Sequence, residues 1–426
     1  LELNAYSKEQ LVALEQSLTQ RYDDFKKAGL NLDLTRGKPA ADQLDLSNAM
    51  EGVLNGNFRA ADGTDVRNYG GLEGLPEMRA FGAQLLGVKP SETLAAGNSS
   101  LTLMYQYVQF CTLFGAQGAD SAWKNEGTPK FLCPVPGYDR HFTICEALGV
   151  EMLTVPMTPT GPDMDQVEAM IKNDKQIKGI WCVPKYSNPS GEVYSDETVD
   201  RIAQLGKIAG ANFRIMWDNA YAVHDLIDNP PQLANLMDAC RKHGTEDSVC
   251  VTGSTSKITM AGAGVAFIGL SEKNLKHFCA WLSSMTIGPD KINQLRHARF
   301  LPTFNDLLAH MKKHSGLIKP KFDLVQKHLS EGLTGKGMGT WTVPEGGYFI
   351  SFDTLNGLAK EVIKLTAEMG VKLTPAGSTF PYKKDPNDCN IRIAPTFPNL
   401  AEIDKAMPVF ICAVELASVR NRLKSL

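Results

Sequence analysis

The chain has 426 residues and a mass of 46.5 kDa, more than one ordinary domain of ~100–200 residues accommodates. A net charge of −3, with 43% apolar and 21% charged residues, describes a water-soluble globular protein and gives no electrostatic reason for nucleic acid or anionic membrane as the main partner. Nine cysteines without a CxxC pair, set mostly in apolar runs such as "FLCPV", read as reduced thiols of a cytoplasmic protein, and no apolar run reaches the ~18 residues of a membrane span.

Ser7 to Gln10 forms a capping box ahead of "LVALEQSLTQRYDDFKKAG", which predicts a helix closed by Gly29. A short strand, "NLDLT", then runs into "RGKP". From about residue 70 to 300, apolar strands alternate with helical stretches: "ETLAAG", "KFLCPVPGY", "IKGIWCVP", "NFRIMWD", "SVCVTGS" and "GVAFIGL" are the strands. That alternation predicts an α/β fold, a largely parallel sheet with helices on both faces. Beyond Arg299 a long helix leads into "GTWTVPEGGYFISFDT", which alternates like antiparallel strands, and "NIRIAP" is a further strand. The expected division is a large domain over 47–300 and a smaller α+β domain built from 1–46 and 301–426.

Ligands in open parallel sheets sit beyond the carboxyl ends of the strands, so polar residues at those ends carry the chemistry. After "LAAG", Asn98, Ser99 and Ser100 open a helix, where free N–H groups and the helix dipole suit a phosphate; plain N-capping is the alternative. Asn188 lies in "NPSG", a sequence that by itself marks a turn. Asp218 ends "RIMWD" with Tyr221 three residues on, and either faces a crevice or caps the next helix. Lys257 in "GSTSK" is a nucleophile and imine former if desolvation lowers its pKa, and otherwise a snorkelling strand-end lysine or a phosphate ligand. Arg392, inside "NIRIAP", suits a carboxylate or a structural ion pair. His310 and His314 in "HMKKH" lack the HExxH pattern and read as a solvated helix face rather than a metal site.

In order along the chain, "NYGGLEGLPEMR", "GNSS", "PGY", "NPSG", "DNAY", "STSK", "PEGGYFISFD", "TPAGSTF" and "IRIAP" resemble the fold type I aminotransferases of the aspartate aminotransferase superfamily. The resemblance runs nearly the whole length and looks closest to an outlying bacterial branch. It implies pyridoxal 5′-phosphate bonded covalently to Lys257, with Asp218 on the pyridine nitrogen and Tyr221 and Asn188 on the phenolic oxygen. Tyr138 would stack on the ring. Asn98, Ser99, Ser100, Ser254 and Ser256 would hold the phosphate, joined by Tyr69 from the neighbouring subunit of a homodimer. Arg392 would take the substrate α-carboxylate, and Gly37 aligns with the segment that covers the substrate. The implied reaction moves an amino group between aspartate or glutamate and 2-oxoglutarate or oxaloacetate.

Two departures stand out. Relatives place a phosphate-pairing arginine where this chain has Gly264, and no arginine occurs in 253–278. For a distal carboxylate the order of expectation is Arg36, Arg140, then Lys38. The same residues would also serve a β-lyase or decarboxylase. A ligand-sensing transcription regulator is not expected, because only one helix precedes "LTRGKP" and the charge is slightly negative.

Overall fold

The computed structural model describes residues 1–426. Ser7 accepts from the Gln10 N–H and its own N–H donates to the Gln10 side chain, so the capping box forms and starts the helix Lys8–Lys27.

Eight strands form the main sheet, in the order Thr93–Ala95, Ala266–Gly269, Val249–Ser254, Arg214–Asp218, Ile177–Cys182, Lys130–Val135, Glu151–Thr158 and Gly161–Pro162. The five from Val249–Ser254 to Glu151–Thr158 are parallel. Their alternate residues enter two different cores: Ile215 and Trp217 pack on one side of the sheet, whereas Met216 joins Cys250 and Trp181 on the other. Helices cover both faces, which is why these strands read as unbroken apolar runs. The strand Ala266–Gly269 is antiparallel to both of its neighbours. Only the 255–265 turn precedes it, too short to carry a crossover, so the chain comes straight back.

The second architecture is a three-stranded antiparallel sheet, with Ile350–Thr354 between Gly339–Trp341 and Asn390–Ile393. Helices Ala359–Glu368 and Leu400–Lys424 pack with it, and Leu11 and Leu18 of the N-terminal helix enter the same core. Leu32–Asp33 pairs in parallel with Val371–Lys372, tying the N-terminal segment to this part. The helix Phe304–Leu333 crosses between the two parts: Leu307 and Met311 pack in the large core, Ile318 to Leu333 in the small one. No helix is long and apolar enough to cross a membrane.

Candidate active site

The parallel strands end at one edge of the sheet, and the residues that follow them meet there. A cavity of about 600 Å³ is bordered by Ser100, Tyr138, Asn188, Asp218, Tyr221, Ser254 and Lys257, with Gly37 and Phe349 closing it from the small part. Ser99 caps the helix Ser100–Leu113 by accepting from the Thr102 N–H at 3.2 Å. Asn98 and Ser99 border an adjoining cavity of about 630 Å³. The Ser256 hydroxyl reaches the Asn98 carbonyl at 3.4 Å, which joins the serine-bearing turn to that helix start.

Lys257 is desolvated. Burial lowers its pKa, Arg392 adds to the effect, and Asp218 opposes it. Its Nζ lies 5.4 Å from the Tyr221 ring centre and 5.8 Å from that of Tyr348. Asp218 is buried, with Oδ2 2.8 Å from Nε2 of His141, while Oδ1 has no partner. The His141 ring stacks on Trp181 at 4.2 Å with 8° between planes, so its aim at Asp218 is set by packing. Burial also pushes the Tyr221 phenol well above its ordinary pKa, keeping it a hydrogen-bond donor. The Asn188 Oδ1 is buried and unpartnered.

Arg392 stands opposite Ser351 in the small sheet, its side chain 11% exposed. Its guanidinium lies 4.4 Å over the Phe349 ring. It makes only long polar contacts, 3.3 Å to Thr374, 3.5 Å to the Thr35 carbonyl and 3.9 Å to Asp139, and its Nε has no partner. A guanidinium held this loosely in a nearly closed setting has donors to offer a carboxylate. Gly37 is required where it sits: a Cβ there would fall 2.1 Å from the Phe349 ring.

Three expected residues lie elsewhere. Arg36 turns toward solvent and pairs with Asp33 at 3.5 Å. Arg140 is exposed on a separate cleft beside Asp139, Phe380 and Lys383. The third-choice cation, Lys38, lies 4.4 Å over the Phe397 ring. Neither arginine borders the cavity in this conformation. Tyr69 is 85% exposed.

His310 and His314 are buried, contrary to the expected solvated face. Both donate from Nε2 to the carbonyl of Ile258, at 2.6 and 2.8 Å, one residue beyond Lys257. Lys312 and Lys313 between them are exposed, so the i, i+4 pair faces inward and the lysines outward. His314 Nδ1 accepts from the Gln43 amide at 3.2 Å, and the same amide donates to Tyr348 at 3.0 Å. His224 Nε2 stands 3.3 Å from the Lys257 carbonyl. His297 donates from Nδ1 to the Asn293 carbonyl, leaving Nε2 to accept from Thr259 at 2.8 Å. No group of three or more His, Cys, Asp or Glu is placed to hold a metal ion.

Gly264 has a local reason. A Cβ there would lie 3.0 Å from both the Ser256 nitrogen and the Thr255 hydroxyl, so any side chain would press on the serine-bearing turn. Asn293 donates to the carbonyls of Ala263 and Gly264, and Arg296 donates to Asn293 at 3.2 Å with its Nε unpartnered. A guanidinium thus approaches this loop from the helix Lys291–Phe300 instead of from position 264. His141, Phe349, His224 and Gln43 were not anticipated. Only His141 had a usable signal, one helical turn after Tyr138.

The family described as aspartate amino-transferase matches residues 6–425. A putative aminotransferase of Mycolicibacterium smegmatis is 44% identical over 426 residues, covering 99% of each chain. An aspartate aminotransferase of Corynebacterium glutamicum is 42% identical, over 98% of this chain and 97% of its own. A crystal structure of an aspartate transaminase from Corynebacterium glutamicum superposes with a TM-score of 0.95 at 41% identity, covering 99% of both chains. With a parallel sheet presenting a lysine, an aspartate and an asparagine to one cavity, this chain belongs to the aspartate aminotransferase family and is an aminotransferase.

Proposed function

We propose that the protein is a pyridoxal 5′-phosphate-dependent, homodimeric aminotransferase that exchanges amino groups between a dicarboxylic amino acid, aspartate or glutamate, and 2-oxoglutarate or oxaloacetate. The observation that carries this reading is the unpartnered Asp218 Oδ1, buried on the cavity that also receives desolvated Lys257. A buried carboxylate oxygen without a donor is costly, and a protonated ring nitrogen satisfies it.

When bound, the cofactor supplies an electron-withdrawing ring that acidifies the substrate Cα. The chain's residues do the rest. Asp218 accepts from the ring N–H while His141 holds its other oxygen. Tyr221 and the Asn188 amide donate to the phenolic oxygen, and Tyr138 covers a ring face. Asn98, Ser99, Ser100, Ser254 and Ser256, with the helix N-terminus, hold the phosphate. Arg392 fixes the α-carboxylate. Lys257, whose basicity burial lowers, would be the group that moves a proton at the substrate Cα.

Tyr69, on the outer face, would complete the phosphate site of a second subunit. The dicarboxylate preference rests on the family and on Arg36, whose neighbour Gly37 borders the cavity; it would have to leave Asp33 to reach a distal carboxylate. Nine free cysteines, eight of them buried, support a reducing, cytoplasmic setting.

A half-reaction screen of single amino acids, following the visible absorbance of the bound cofactor, tests this. Aspartate and glutamate are expected to react at least about tenfold better in kcat/KM than neutral amino acids, a gap of about 1.4 kcal/mol. Pyruvate or ammonia released without a keto-acid acceptor would assign a lyase instead. Lys257→Ala is expected to abolish both absorbance and turnover; persistence of either defeats the reading.

A further inference from the structure

Lys291 is 4% exposed, yet it makes no ion pair. Its ammonium donates to two carbonyls, Asn68 at 2.8 Å and Gly70 at 2.6 Å. These flank Tyr69, the most exposed large aromatic side chain of the molecule. Burying an ammonium is costly, and charge-assisted bonds to carbonyls offset the cost only where the geometry is fixed. Fixed geometry for a side chain standing in solvent has no use within the subunit that carries it.

The surroundings indicate the user. Tyr69 shares a cleft of about 1190 Å³ with Met285 and Ile287, both exposed. Thr286 and Pro289 of the same loop also border the cavity containing Asn98 and Ser99, at the proposed phosphate end of the active site. One continuous surface therefore carries a projecting tyrosine and an opening that leads to the site. A two-fold contact between copies brings a projection on one subunit against an opening on the other.

We propose that Lys291 is a positioning residue acting in trans: it fixes the Tyr69 main chain so that the phenol serves the cofactor phosphate of the partner subunit. This rests on the homodimeric, cofactor-binding reading above. Lys291→Met is expected to leave a dimer by sedimentation but to raise the Kd for pyridoxal 5′-phosphate about tenfold, as loss of a charge-assisted contact does. Tyr69→Phe is expected to match it within about threefold, and the double variant to add less than about twofold, the non-additivity of residues that act as one unit.

The deciding measurement uses hybrid dimers purified with two affinity tags, one subunit carrying Lys291→Met and the other Lys257→Ala. Only the first subunit retains the anchoring lysine, and its site receives Tyr69 from a partner with intact Lys291. Wild-type cofactor affinity at that site is expected, and it also proves that the Lys291→Met subunit folds. Affinity as weak as in the Lys291→Met homodimer would mean that Lys291 acts within its own subunit and would overturn the proposal. A monomeric wild-type protein would overturn it together with the homodimeric reading. Restored affinity without transamination would leave the proposal standing and remove the proposed reaction.

Discussion

His141 explains how a carboxylate survives in the core of this site. Asp218 sits at the end of a strand whose five residues are all buried, and His141 holds Oδ2 at 2.8 Å. His141→Leu would leave Oδ2 buried without a donor, a penalty of about 1–3 kcal/mol. A carboxylate that has lost this donor is held less firmly in place for a ring N–H. We expect kcat/KM to fall about 10- to 100-fold and the Kd for pyridoxal 5′-phosphate to rise. A loss of activity with unchanged cofactor affinity would reduce His141 to a packing residue. Gly264→Ala is expected to cost about 1–3 kcal/mol by overpacking the serine-bearing turn, readable in a denaturant midpoint. At this scale Lys257, Asp218 and Asn188 were legible because each closes or follows an apolar strand that leads to the ligand edge. Arg140 stands away from the cavity for a geometric reason: it lies two residues after Tyr138, and residues two apart at a helix start do not face the same way.

The helix Phe304–Leu333 and the segment carrying Gln43 act as one support for the lysine turn. The Ile258 carbonyl can only accept, so His310 and His314 must both carry their protons on Nε2. That leaves His314 Nδ1 as the acceptor for Gln43, and protonating it would set one donor against another. His314→Leu removes one donor from the carbonyl and one of the two acceptors of the Gln43 amide, an expected loss of about 1–3 kcal/mol. Since the turn carries Lys257, we expect kcat to fall about tenfold with little change in KM, the mark of an interaction that matters only in the transition state. His314→Gln keeps an N–H within reach of Ile258 and should recover much of both losses. Equal damage from the two variants would show that the imidazole only fills space. The helix itself was plain from its periodicity, but not the direction of its histidine face. A lysine-rich "HMKKH" reads as solvated until the helix is found passing between two cores, with both sides of the pattern in use.

Across the whole molecule, these buried imidazoles set the response to acid. Burial holds His224 down to about 3, and His297 and His314 down to about 4, with His310 also lowered. Each folded pKa lies below the ordinary value of 6.5, so the unfolded chain binds these protons first as pH falls. Their contribution to stability is complete above about pH 6.5 and declines from there toward pH 4, by at most about 1.4 kcal/mol per pH unit for each group. The depressed carboxylates, among them Asp33, Asp174 and Asp200, act lower, since their stabilisation is lost only as pH falls through 3.8 and beyond. Glu192, raised by burial, works in the opposite sense: its protonation in the folded state offsets part of the histidine slope. A change of pattern after Arg299 was visible in the sequence, but this coupling was not, because the four histidines come from separate stretches of chain and meet only around residues 255–259. We therefore expect the urea midpoint to be nearly flat between about pH 7 and 8 and to fall steadily below about pH 6.5, before the carboxylates titrate. His297→Gln, which retains an acceptor for Thr259 without a titrating group, should make that fall shallower. A midpoint that holds level down to about pH 4.5 would mean that the imidazoles titrate alike in the folded and unfolded chains, and that burial around the lysine turn does not govern the acid limit of this fold.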